Sequence, residues 1–297
     1  MRVFVTGATG FIGSHVVKEL IAAGHEVLGL ARSDASAQAL NAVGANVQRG
    51  SLEDIESLKS GTAASDAVIH LGMTHDFSNF LKTCETDKQA IEAMGSVLAG
   101  SDRPLIVATG LAGLAGPGQL ATEESVVPPN FPFPRVSEQT AIAQLSKGVC
   151  ASVMRLPQVH DTRKQGLITV AIATAREKGA AAYVGNGTNR WAAAHISDVA
   201  RLYRLALENH EAGAKYHAVA EEGVRMRDIT ETIGRALKVP VISISPEEAP
   251  DYFGWWGMFA GADLLASSAI TRKKLGWNPT GPALIADLEQ MDHSKVA

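Results

Sequence analysis

Three glycines, Gly7, Gly10 and Gly13, recur at three-residue intervals in VTGATGFIG, after one apolar run and ahead of a helical pattern. The early glycines permit a tight turn and let backbone amides approach a pyrophosphate, while the third lets a helix pack close to a strand. The helix start adds N–H donors and a favourable dipole for phosphate. Thr9, Phe11 and Ile12 fill the intervening positions, so TGATGFIG is the expected phosphate loop of a dinucleotide site. Nineteen residues after Gly13 the second apolar run ends GLARSD. An acid there would hold the ribose 2′-hydroxyl of NAD, whereas arginine accommodates the 2′-phosphate of NADP. Arg32, with the Ser33 hydroxyl as a further donor, therefore predicts NADP in preference to NAD. Asp34 reads as the cap of the next helix. Ser51 and Leu52 follow the third strand, where an adenine ring would lie.

Such residues need a scaffold that brings strand ends together. RVFVT, EVLGL, NVQRG, AVIHL, PLIVAT and VCASVMRLP read as strands, separated through most of the first half by helical patterns, including a long one through residues 77–99. Strands alternating with helices call for parallel pairing through right-handed crossovers. The predicted fold is a doubly wound α/β Rossmann sheet over residues 1–157 and 191–221. Residues 158–190 and 222–297 read as a smaller substrate-binding lobe over the carboxyl edge of the sheet. Its segment DYFGWWGMF, with Tyr252, Phe253, Trp255, Trp256 and Phe259, has two readings: a wall covering substrate, or a core between the lobes.

The 297 residues carry a formal charge of −4, with 46% hydrophobic and 20% charged side chains. That balance gives no electrostatic reason to bind nucleic acid or an anionic membrane. Cys84 and Cys150 fit a reducing compartment better than a disulfide framework. No leader pattern opens the chain, and no apolar run approaches the roughly 20 residues that span a bilayer. The expected location is the cytoplasm, with a small-molecule substrate. His70 and His75 are five residues apart, a poor metal spacing, and no metal site is expected.

From this point the chain resembles the short-chain dehydrogenase/reductase superfamily, in its extended and atypical branch of NAD-dependent epimerases and dehydratases. TGATGFIG resembles that branch's phosphate loop, and HLGM, with Leu71, Gly72 and Met73, resembles the stretch past the fourth strand that lines the cofactor. MRLPQVH resembles its R-x-P segment, which implies that Pro157 and Val159 flank the nicotinamide. HISDVARL and LGWNP resemble its H-x-x-D-x-A helix start and its C-terminal signature. The resemblance implies hydride transfer at a carbinol or carbonyl carbon, and pairing of two copies through the helices that carry Asp87 and Ser137.

The same resemblance implies four groups around the nicotinamide: Asn, Ser or Thr, Tyr and Lys. Carried over, Asp87 takes the asparagine position and Thr109 the hydroxyl position. Pro134 falls at the tyrosine and Glu138 at the lysine, in PFPRVSEQTAIAQ. None of Tyr183, Tyr203, Tyr216 and Tyr252 has a lysine four residues on, so no Tyr-x-x-x-Lys exists in the chain. Proline can neither deliver a proton nor bind ribose. Glu138 reads either as an acceptor for ribose hydroxyls, its charge favouring oxidised cofactor, or as an acid in the first turn of a helix. Thr109 reads as a hydroxyl that polarises a carbonyl, or as a β-branched strand residue. Asp87 holds a water or is a solvated helical acid; Ser137 can be an N-cap; Arg135 binds an anionic substrate or stays on the surface. His160 is a replacement proton donor or an uninvolved loop histidine. The leading expectation is an NADP-dependent oxidoreductase acting on a carbonyl compound or alcohol. The alternatives are an NADP-binding regulator or redox sensor without catalysis, and an epimerase or lyase with no net oxidation.

Overall fold

The computed structural model describes residues 1–74, 79–128 and 131–292. The chain runs β1 (Arg2–Thr6), α1 (Phe11–Ala22), β2 (Glu26–Ala31), α2 (Asp34–Ala42), β3 (Asn46–Arg49), α3 (Ile55–Ala63), β4 (Ala67–His70), α4 (Phe80–Leu98), β5 (Ser101–Gly110), α5 (Ser137–Ala143) and β6 (Val149–Leu156). There follow β7 (Gln158–His160), α6 (Ile168–Lys178), β8 (Ala181–Val184), β9 (Arg190–His195), α7 (Ile196–Glu208), β10 (Lys215–His217), β11 (Glu221–Arg225), α8 (Met226–Leu237) and β12 (Val241–Ile244). The chain divides into two compact units, the first comprising Met1–Gly110, Asn130–Arg155 and Val199–Tyr216, and the second the remainder.

The first unit holds a seven-stranded sheet in the order β10-β6-β5-β4-β1-β2-β3. β1 lies parallel to both β2 and β4, β2 parallel to β3, and β4 parallel to β5. This is the expected doubly wound α/β fold. The order of building reverses between β1 and β4, and at such a switch point the loops leaving the carboxyl ends of two adjacent strands part to form a crevice. Val3, Phe4, Val5 and Thr6 are all buried, because helices cover both faces and the strand needs no polar side. Phe4, Val68, Ile91, Met94, Leu105 and Val153 belong to one core cluster of this unit.

The second unit is built on a three-stranded sheet, β11-β9-β7, and the parallel pair β12-β8. β9 runs antiparallel to β11 and parallel to β7. The division into compact units puts residues 191–198 and 217–221 in the second unit, whereas the sequence reading grouped them with the nucleotide-binding region. Residues 111–129 also belong to this unit, held by an Ala121–Ala266 bridge and by the Glu123 carboxylate, which accepts from the Thr271 N–H and hydroxyl at 2.7 Å each. AKYHAVA forms a strand only over Lys215–His217.

The aromatic segment folds as short helical turns, and its larger rings join the core of the second unit itself. Trp256 lies 5.7 Å from Trp191 and 4.8 Å from Phe253, ring centre to ring centre, and the Tyr252 hydroxyl donates to Ala180 O at 2.5 Å. Trp255 and Phe259 pack against the same cluster.

Asp198, buried at the start of α7, accepts from Thr280 N (3.0 and 3.1 Å) and Gly281 N (2.7 Å), while Trp277 Nε1 donates to its carbonyl at 3.0 Å. The LGWNP turn is thereby tied to the helix. Replacing Asp198→Ala is expected to destabilise the protein by about 2–3 kcal/mol, the scale of hydrogen bonds to a charged group. The check is the midpoint of denaturant unfolding at unchanged slope; an unmoved midpoint would show that the carboxylate does not hold the turn.

Candidate active site

Around the turn between β1 and α1, Gly7 and Gly13 have no room for a side chain. Gly7 adopts φ +66°, and a Cβ on it would lie 2.8 Å from Gly72 N and from the Leu71 carbonyl carbon. A Cβ on Gly13 would overlap the Gly7 carbonyl oxygen. Gly10, the N-cap of α1, has no side chain to offer, and the first turn contains no acid. By contrast, Ser33 caps α2 and Asp54 caps α3 through side-chain oxygens. The amides opening α1 are thus left for an external anion, and the loop fits a pyrophosphate. Thr9 and Gly10 are exposed, Phe11 and Ile12 half-buried. Leu52 lies against Gly72, where a Cβ would meet its Cδ2 at 2.9 Å; Ser51, Leu71 and Met73 are half-buried beside them in sequence.

Arg32 follows β2 directly, is exposed, and makes no ion pair among the described residues. Asp34, its acidic neighbour, pairs with Arg49 at the end of β3. Ser33, not Asp34, is the cap of α2: its Oγ accepts from Ser36 N at 3.2 Å and bonds Ser36 Oγ at 3.1 Å. That bonding engages the hydroxyl predicted to serve a 2′-phosphate, while the Arg32 guanidinium stays exposed.

A buried polar chain crosses the unit behind the loops. Gly72 N donates to Thr6 Oγ1 at 3.1 Å, and Thr6 Oγ1 meets His70 Nδ1 at 2.7 Å. His70 Nε2 lies 3.1 Å from Asp87 Oδ1, and Ser137 Oγ donates to Asp87 Oδ2 at 2.5 Å. Arg135 Nε donates to Ser137 Oγ at 2.8 Å, and its Nη2 to Ala108 O at 2.9 Å. A proton on His70 Nε2 serves Asp87, and the Thr6 hydroxyl completes Nδ1 by donating or accepting. Asp87 is 2% exposed, neither solvated nor free to hold a water by itself. Burial pushes its pKa up, but the His70 hydrogen bond and charge, the Arg135 charge and the Ser137 hydrogen bond together hold it below the ordinary value. Ser137 is therefore not an N-cap; Val136 holds that place.

Glu138 does not present a free carboxylate. Arg155 Nε donates to its Oε2 at 2.8 Å and Nη2 to its Oε1 at 2.5 Å, with Lys215 Nζ 3.8 Å away. Arg155 is fully buried and Glu138 8% exposed, so the bidentate pair occupies the acceptors that a ribose would need and neutralises the charge. Glu138 does lie in the first turn of α5, as one of its two readings required. Thr109 is half-buried near the end of β5, and its hydroxyl has no hydrogen-bond partner among the described residues.

Among the described residues, no tyrosine takes the place of the missing phenol. Tyr203 and Tyr216 are fully buried, and burial pushes both up, Tyr216 to about 12. The Tyr252 hydroxyl is spent on Ala180 O, and Tyr183 lies under Arg227. Burial also raises the Cys84 and Cys150 thiols, which opposes nucleophilic use. His70 is committed to Thr6 and Asp87; His75 lies outside the described residues.

Pro157, Val159 and His160 belong to the second unit. His160 is a strand residue of β7, not a loop residue, and is completely buried; its Nδ1 lies 2.7 Å from Asp287 Oδ2 and its ring stands edge-on to His195. Burial lowers its pKa more than Asp287 raises it. It forms a buried histidine–carboxylate pair, with the Glu221 carboxylate 4.0 Å from its Nε2, and is not the loop histidine of the sequence reading. The second unit also has an open cavity of about 600 Å³, with Asn189, Arg190, Arg225 and Asp263 on its walls. Arg190 and Arg225 face each other in register across β9 and β11, each with an acid nearby, Asp263 at 4.0 Å and Asp228 at 3.1 Å. Sequence reading passed over both arginines, since β9 and β11 had not been recognised as strands.

A model of the NAD dependent epimerase/dehydratase family matches residues 3–220. The chain is 47% identical over 290 residues to the uncharacterized protein C2A9.02 of Schizosaccharomyces pombe, covering 97% of this chain and 98% of that protein. It is 27% identical over 272 residues to a 4-hydroxy-2-methyl-3-oxo-4-farnesyl-3,4-dihydroquinoline-1-oxide ketoreductase of Stigmatella aurantiaca, covering 86% of this chain and 80% of that protein. Among solved structures, the dTDP-glucose 4,6-dehydratase DesIV of Streptomyces venezuelae with NAD and TYD bound superposes with a TM-score of 0.76 at 20% identity, over 98% of this chain and 96% of that one. That likeness concerns the fold.

The lowered pKa of Asp87 has a consequence for stability. Ionised Asp87 stabilises the folded protein above the unfolded-state value near pH 4, and its contribution is lost as pH falls through the lower folded value. Wild type is expected to lose unfolding free energy more steeply than Asp87→Asn between about pH 5 and pH 3, while being the more stable of the two at neutral pH. Parallel pH slopes would show that Asp87 is not held as an anion.

Proposed function

Because the chain belongs to the NAD-dependent epimerase/dehydratase family, we propose that it is an NADP-dependent oxidoreductase moving hydride to or from a carbonyl or alcohol carbon. The observation that carries this reading is the pairing of an uncapped, glycine-lined helix start with an exposed guanidinium after β2 that has no acid bound to it among the described residues. A diphosphate suits the first and a 2′-phosphate the second. Leu52 packs against Gly72, the residue whose backbone approaches Gly7 of the loop.

The bound cofactor supplies or accepts the hydride. Thr109, at the carboxyl end of a central strand with its hydroxyl uncommitted, donates a hydrogen bond to the carbonyl oxygen and polarises it. Buried Tyr203 and Tyr216 stay protonated and out of reach, so the proton comes from water. The lost Tyr-x-x-x-Lys and the neutralised Glu138 also favour a second reading, an NADP-binding regulator without turnover. Cofactor oxidation with carbonyl compounds separates the two.

Arg32→Ala is expected to weaken NADPH binding about tenfold or more while leaving NADH nearly unchanged, since only NADPH carries the phosphate that the guanidinium pairs. Fluorescence titration of both reduced cofactors measures this. Equal losses for the two, or tighter NADH than NADPH binding by the wild type, would overturn the NADP assignment.

A further inference from the structure

Arg135 stands one residue beyond the proline that replaces the expected tyrosine, and it is fixed on one edge only. Its Nε and Nη2 donate to Ser137 Oγ and Ala108 O at 2.8 and 2.9 Å. Ser137 is itself buried and locked by Asp87, and Ala108 belongs to the buried end of β5. The guanidinium is therefore set in place by the buried chain, one peptide unit from Thr109. Its other edge has no partner among the described residues: Nη1 and the second Nη2 hydrogen form a parallel pair of donors. A fork of this kind matches the two oxygens of a carboxylate, and a pre-positioned arginine loses little side-chain freedom on binding one.

We propose that Arg135 anchors the substrate, and that the substrate is a carbonyl compound or alcohol bearing a carboxylate, such as an oxo acid or hydroxy acid. The claim rests on the oxidoreductase reading and narrows its substrate class. Carboxylate on the outer fork of Arg135 places the neighbouring carbonyl beside Thr109. The positive charge that the family pattern supplies through lysine is then supplied from a different side chain, and it serves the substrate instead of the ribose. Glu138 cannot compete for this guanidinium, because Arg155 holds both of its oxygens.

The test uses oxalate, a carboxylate probe that cannot be reduced by the site, titrated by calorimetry into the full-length protein with and without NADP⁺. Wild type is expected to bind oxalate saturably at millimolar concentration, and Arg135→Gln at least about tenfold more weakly, with Arg135→Lys between them because it keeps the charge and loses the fork. Thermal melting checks that each variant folds. Should Arg135→Gln fail to fold, a crystal structure of wild type with oxalate decides: oxalate oxygens on Nη1 and Nη2 of Arg135 support the proposal, and oxalate elsewhere refutes it. Absent oxalate binding by wild type, or equal binding by folded Arg135→Gln, also refutes it. NADPH titration of the same samples keeps the two claims apart. Normal NADPH binding without an oxalate site removes this inference alone, whereas failure to bind NADPH removes the oxidoreductase reading, and the cofactor-free oxalate titration still decides the role of Arg135.

Discussion

A carboxylate stripped of water must be surrounded by donors, and Asp87 is the carboxylate around which the polar interior of the first unit is arranged. Its demands reach several elements at once. His70 must stand at the last position of β4, Ser137 at the first position of α5, and both must face one point on α4. His70 in turn engages Thr6 at the end of β1, whose hydroxyl receives the Gly72 amide. The ends of β1, β4 and β5 and the start of α5 are thus members of one hydrogen-bonded set. Removing any member leaves another buried polar atom without its partner, which costs more than the bond itself contributed.

The exchange of residues in PFPRVSEQ moves charge instead of erasing it. Where a lysine would stand free to meet ribose, Glu138 closes on Arg155 and becomes internal. Where a tyrosine would reach substrate, proline ends the side chain, and the next residue brings a guanidinium to the rim of β5. What stands at the end of β5 is a hydroxyl, on Thr109, and a permanent cation, on Arg135. Phenol chemistry would require Tyr203 or Tyr216 to leave full burial.

The glycine loop and the βαβ rhythm were readable because backbone geometry alone dictates them: Gly7 and Gly13 have no space for a side chain, and buried parallel strands are apolar throughout. The roles of Asp87, Ser137 and Glu138 were not readable, because each depends on a partner 17 or 50 residues away that only tertiary packing brings near. A serine just before a helical pattern looks like a cap whichever way its hydroxyl turns. RWAAAH and QVH escaped notice as strands for another reason. One is dominated by alanine, which carries no period, and the other is three residues long. Missing them hid the sheet of the second unit, misplaced its boundaries and obscured why Trp191 and Trp256 meet.

Helices α2 and α3 finish their own first turns with a serine and an aspartate, whereas α1 begins with glycine and no acid. No side chain of the cap position or acid of the first turn answers its opening amides or the dipole behind them. A diphosphate at this helix start would serve as the cap that the sequence does not supply.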